Sequence, residues 1–204
     1  MMTLQYINRT GKTYYLSEGK TKSGKPQYHF SLKEKDNSVD KIPEGYEIYE
    51  HPENAQVFMR KIKPRIITEL EEQYVKNQVK GLQRTHRYLV DCKDKYITIY
   101  ESNTDVENAQ GIFGDLLGRM GLPAGMSVDN AMEGFTNIMD QNYNAVLRFC
   151  LEDKEKRIFS AERYCFRGAI DDWIPLAQSE KFRDLVKQYV DILGTDEFFE
   201  SPYY

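Results

Sequence analysis

The chain has 204 residues, 40% of them hydrophobic, with 29% charged residues, 15 Tyr and 10 Phe. That is enough for one compact domain or two small ones, and it is not the composition of a disordered chain. The net charge of -4 hides an asymmetry: residues 1–101 hold 18 basic against 14 acidic side chains, residues 102–204 hold 10 against 18.

No run approaches the roughly 20 apolar residues needed to cross a bilayer. The start, "MMTLQYINRTGK", lacks the basic-then-apolar pattern of a signal peptide. The expectation is a cytoplasmic protein without a membrane partner. An odd count of three cysteines, none at metal-site spacing, agrees with that expectation.

The first 63 residues read as β structure. "KTYYLSE" and "QYHFSLK" flank the turn "GKTKSGKP", and "YEIYE" and "QVFMRKI" flank "HPENA". Two tandem hairpins forming one small antiparallel sheet are predicted. A helix over 69–80 follows. Thr68 and Glu71 make a capping box, Leu70, Tyr74, Val75, Val79 and Leu82 recur at helical spacing, and Gly81 offers a stop. This helix packs on the first sheet or bridges to the second half of the chain.

In the second half, "RYLVDCK" and "YITIYES" form a hairpin around "DK". Thr104 and Glu107 make a second capping box, ahead of a helix with Val106, Ala109, Ile112, Phe113, Leu116, Leu117 and Met120 on one face. Gly111, Gly114 and Gly118 interrupt it. Each costs about 1 kcal/mol against Ala, and close packing on a neighbour is the favoured reason. Ser127 caps another helix. "NAVLRFCLE" and "RIFSAERYCFR" are strands, "GAIDDWIPLAQ" a loop with the only Trp plugging the core, and Ser179 caps a last helix that Gly194 stops. The tail docks through Phe198 and Phe199.

The order is ββββα–ββααββα. Segregated runs of strands and helices predict an α+β fold of small antiparallel sheets built from β-hairpins and covered by helices. The divisions are an N-terminal hairpin module at 1–63, a connecting helix at 64–82 and a C-terminal α+β domain at 83–204. If residues 154–156 close a hairpin, Cys150 lies opposite about Ser160. Cys165 is then about 16 Å along the strand, too far for a disulfide.

"GKTKSGKP" imitates a phosphate-binding P-loop, with Gly19, four residues, Gly24 and Lys25. Pro26, however, stands where the Mg²⁺-binding hydroxyl belongs, and it lacks an N–H. A strand follows where the loop needs a helix N-terminus. The run therefore reads as an exposed turn, and no nucleotide cofactor is expected.

On that turn, Lys20, Lys22 and Lys25 keep the tip soluble or touch an anionic partner, either an acidic protein or a nucleic acid. Tyr14, Tyr28 or Phe30 would then be available to stack on bases. His29, His51 and His86 have no second ligand at helical spacing, so no zinc motif is present. Cys92, Cys150 and Cys165 fall in strands, as inert small hydrophobes do.

The densest chemistry is in "CFRGAIDDWIPL", where Arg167, Asp171, Asp172 and Trp173 stand close together. Paired carboxylates there suit a divalent ion and a hydrolase or nuclease. A structured loop, with an Asp bonding backbone and Arg167 paired to a carboxylate, is the plainer reading. "YYLSEGKTKSGKPQYHFS", "IPEGYEIYE" and "CFRGAIDDWIPL" together resemble motifs of a group of uncharacterised bacterial proteins. The likeness covers about a fifth of the chain and implies no mechanism. The expected function is a non-catalytic binding module with a basic N-terminal hairpin.

Overall fold

The structure is a computed structural model that describes residues 3–82, 87–103, 106–122, 127–131, 142–167, 170–179 and 181–200. The strands are β1 (Gln5–Ile7), β2 (Thr13–Lys20), β3 (Pro26–Ser31), β4 (Tyr46–Glu50), β5 (Val57–Lys61), β6 (Tyr88–Lys93), β7 (Tyr96–Ser102), β8 (Tyr143–Asp153), β9 (Ile158–Arg167) and β10 (Ile170–Ser179). The helices are α1 (Glu69–Lys80), α2 (Val106–Met120), α3 (Phe182–Asp191) and α4 (Asp196–Glu200). This is an α+β fold of small antiparallel sheets. The chain divides into two compact units, residues 1–63 with 102–142, and residues 64–101 with 143–204.

In the first unit the tandem hairpins do not share one sheet. β2 and β3 pair with a short added strand in the order β1-β2-β3, and β4 and β5 form a sheet of their own. β1 escapes sequence reading because three residues show no periodicity; its pairing with β2 creates it. Alternation sets the faces. Leu16, Glu18, Tyr28 and Phe30 share one face of the larger sheet through the pairs Leu16–Phe30 and Glu18–Tyr28. Tyr46, Ile48 and Glu50 share one face of the smaller sheet with Lys61, Met59 and Val57.

Those two faces meet. Tyr28 contacts Tyr46, and the Tyr6 hydroxyl donates to Glu50 Oε2 at 3.1 Å. Buried Asn8 fixes the β1–β2 turn. Its Nδ2 donates to the Ala55 carbonyl at 2.7 Å, and its Oδ1 accepts the Lys12 N–H at 2.8 Å. Arg9 pairs with Glu50 at 2.9 Å.

α2 lies in the first unit and spans the predicted run, but its apolar residues are not all covered. Ile112 is 65% exposed and Met120 77%. Among the described residues, a Cβ on Gly111, Gly114 or Gly118 would meet nothing within 4 Å. Ser127 caps the helical stretch 128–131, with its Oγ accepting the Asn130 N–H at 3.2 Å. Thr104 lies outside the described residues.

The second unit is a five-stranded sheet, in the order β10-β9-β8-β7-β6, with helices on one face. Ile97, Ile99, Leu147, Phe149, Leu151, Phe159 and Ala161 point to that face and form the core with Val75 and Val79 of α1 and Leu185, Val186, Tyr189 and Val190 of α3. The α1 capping box is complete. Thr68 Oγ1 accepts the Glu71 N–H at 3.3 Å, and Glu71 Oε2 accepts the Thr68 N–H at 2.8 Å. Leu70, however, is 82% exposed. The β8–β9 hairpin sets Cys150 opposite Ser160, and all three cysteines are free thiols.

Three expectations at the C-terminal end are corrected. The "loop" at 168–178 is mostly strand β10, on the sheet edge, paired with β9. Pro175 hid it, because a Pro within a run argues against a central strand, but an edge strand tolerates it. The ladder shifts register at Leu176, between Pro175 and Ala177. Ser179 therefore ends a strand rather than capping a helix. Lys181 is the N-cap of α3, without a side-chain cap bond, and Ser179 Oγ accepts its N–H at 2.9 Å. In the tail Phe198 is buried, but Phe199 is 60% exposed.

Candidate functional site

The basic turn is a hairpin tip. β2 ends at Lys20 and β3 begins at Pro26, with no helix after the Gly-Lys pair. The Thr21 N–H donates to the Lys25 carbonyl at 2.9 Å, and the Gly24 N–H to the Thr21 carbonyl at 2.9 Å. Gly24 sits at φ +79°, a left-handed conformation that glycine adopts without strain. Lys20, Lys22 and Lys25 are exposed on this frame, and Tyr28 is half-buried.

Tyr28 meets Tyr46 edge-on, with 5.1 Å between centroids and 74° between planes. Lys61 Nζ lies 5.9 Å from the Tyr46 ring centre. Partial desolvation, then the Glu18 carboxylate opposite, raise the pKa of the Tyr28 hydroxyl above its ordinary value. Of the other proposed stacking residues, Tyr14 and Phe30 are half-buried in the same sheet, with Phe30 6.4 Å from Tyr6. Tyr46 and Lys61 carry no signal of their own in the sequence. Alternation gives their parity, but not which hairpin they meet.

The second candidate group is spread along the sheet edge. Asp171 and Asp172 are consecutive residues of β10, so their side chains point to opposite faces. Both are exposed. The Tyr164 hydroxyl donates to the Asp171 carboxylate, and Asp172 Oδ1 accepts the Trp173 N–H at 2.7 Å. Arg167 closes β9 opposite Ile170; its side chain lies outside the described residues.

Trp173 does not plug the core. It is half-buried on the face away from the helices, edge-on to Tyr164 at 5.2 Å. Arg148 is stacked on that face, 4.1 Å from the Trp173 ring and 4.6 Å from Tyr96, and it is paired with Glu162. With its guanidinium held by two rings and a carboxylate, Arg148 acts as a structural clamp across four strands.

Among the described residues no three His, Cys, Asp or Glu side chains gather as metal ligands. His29 Nε2 is 3.1 Å from both Ser17 Oγ and Lys35 Nζ, and Ser17 is fully buried, closed to a substrate. His51 Nδ1 accepts the Glu53 N–H at 3.3 Å; His86 lies outside the described residues. Burial pushes the Cys92 and Cys150 thiols up, away from the thiolate a nucleophile needs. No helix among the described residues is long and apolar enough to cross a membrane. No family model, curated protein or solved structure matches the chain.

Proposed function

We propose that the protein is a non-catalytic binding module whose N-terminal hairpin contacts an anionic partner. The observation that carries this reading is the placement of Lys20, Lys22 and Lys25 around one exposed five-residue tip with no acidic residue in the turn itself. The runner-up, a metal-dependent hydrolase or nuclease at Asp171 and Asp172, draws no support from two carboxylates on opposite faces of an edge strand. Sharing one ion requires them to converge.

Retention of the full chain on heparin and on polyglutamate, followed across a salt series, tests the reading. Wild type should bind at low salt and release steeply as salt rises. Replacing Lys20, Lys22 and Lys25 together by Gln should abolish most retention and leave the melting temperature unchanged, since exposed substitutions cost within about 0.5 kcal/mol. Retention on neither matrix, or retention that the triple variant keeps, overturns it.

A further inference from the structure

The Tyr28–Tyr46 contact joins the two hairpins, and it brings together charges that are far apart in sequence. Lys20 lies two residues from Glu18, which is the cross-strand neighbour of Tyr28, so Lys20 and Tyr28 share a face. Lys61 is the cross-strand neighbour of Tyr46, with Nζ over its ring. Two tyrosine rings, each half-buried and so still partly open to solvent, are thus flanked by a lysine from each hairpin. Lys22 and Lys25 continue the charge onto the tip.

A lysine recognises phosphate as a point charge, and an aromatic ring recognises the π-face of a base. A duplex keeps its base faces inside the stack, whereas a single strand offers phosphates and base faces together. An acidic protein surface would satisfy the lysines too, whereas a single strand sets a base face for the rings directly beside each phosphate for the lysines. We infer that this cluster binds single-stranded nucleic acid, with phosphates on Lys20, Lys22, Lys25 and Lys61 and a base against Tyr28 and Tyr46. The inference rests on the basic hairpin being the contact surface, and it narrows the partner to one class. Glu18 is exposed on the same face and opposes a phosphate there. It limits affinity, and its removal gives a gain-of-binding test.

The test uses the full chain, a labelled oligothymidylate, a duplex of equal length, and heparin and polyglutamate as ligands without bases, by anisotropy and competition across a salt series. The oligothymidylate should bind more tightly than the duplex. Lys61→Gln should lower its log–log salt slope by roughly 0.7. Tyr46→Leu should weaken single-strand binding roughly tenfold and leave heparin binding unchanged, and Tyr46→Phe should keep both. Glu18→Gln should tighten binding to every polyanion.

Equal affinity for single strand, duplex and heparin, indifferent to Tyr46→Leu, overturns the single-strand inference and leaves the basic-hairpin reading standing. Binding of polyglutamate with none of the oligothymidylate does the same, in favour of an acidic protein partner. No binding of any of the four ligands removes both. Should Tyr46→Leu prove unfolded by its melt, the wild-type preference for single strand over duplex decides the matter.

Discussion

Gly194 and Gly114 show how the same residue type carries opposite consequences. Gly194 follows α3 at φ +77°, and a Cβ there would stand 2.5 Å from the Tyr88 hydroxyl, which donates to Glu101 Oε1 at 3.3 Å. Tyr88 is buried, so the ring has little room to yield. Gly194→Ala should destabilise by at least about 1–2 kcal/mol from the left-handed backbone alone. Gly114 sits inside α2, and among the described residues nothing lies within 4 Å of its missing Cβ, so Gly114→Ala should stabilise by up to about 1 kcal/mol. Urea melts of both variants check this: the midpoints should move in opposite directions with an unchanged m-value. Both glycines are visible in the sequence. The Tyr88 hydroxyl beside one and the clearance among the described residues beside the other are not, because each depends on residues distant along the chain.

At the scale of elements, the β8–β9 hairpin combines a legible register with an illegible polar cluster. The turn residues put Cys150 opposite Ser160, as spacing predicts. The shift between Leu151 and Asp153 then leaves Glu152 beside Ser160, whose hydroxyl donates to Glu152 Oε1 at 2.7 Å. That bond, with smaller help from Cys150, Lys95 and Arg148, holds the Glu152 carboxyl below its ordinary value.

A depressed folded-state pKa means stability that is present above the unfolded value, about 4.3, and lost as pH falls through the folded one. Ser160→Ala should therefore cost about 1 kcal/mol at pH 7, and the deficit should shrink near pH 3. Denaturant melts at the two pH values measure it; an equal deficit at both would show that Glu152 ionisation contributes nothing. Elsewhere, α1 is readable to its ends because capping box, spacing and stop coincide. β10 is not, because its strand character comes from pairing with β9 across a Pro and a register shift.

For the whole molecule, the charge balance sets a ceiling on binding. The chain is acidic, with a pI of about 5.5, so a polyanion is repelled by the molecule as it meets the tip. Lowering the pH from 7.5 to 5.5 removes net negative charge while the lysines stay protonated and phosphates keep most of theirs. Affinity for oligothymidylate should rise over that range, and an affinity that falls would place the contact away from the lysines.

The α+β class, the main hairpins, α1 and the exposed tip with a strand in place of a helix after it were determined by the sequence alone. Each rests on local chemistry: alternation, capping, turn residues. Only the tertiary structure decided that Asp171 and Asp172 diverge, that Trp173 lies off the core beside Arg148, and that Tyr46 and Lys61 join Tyr28 and Lys20. Local pattern gives a side chain's parity on its own strand. Which strand it then meets is fixed by pairing and face-to-face packing between segments well separated in sequence.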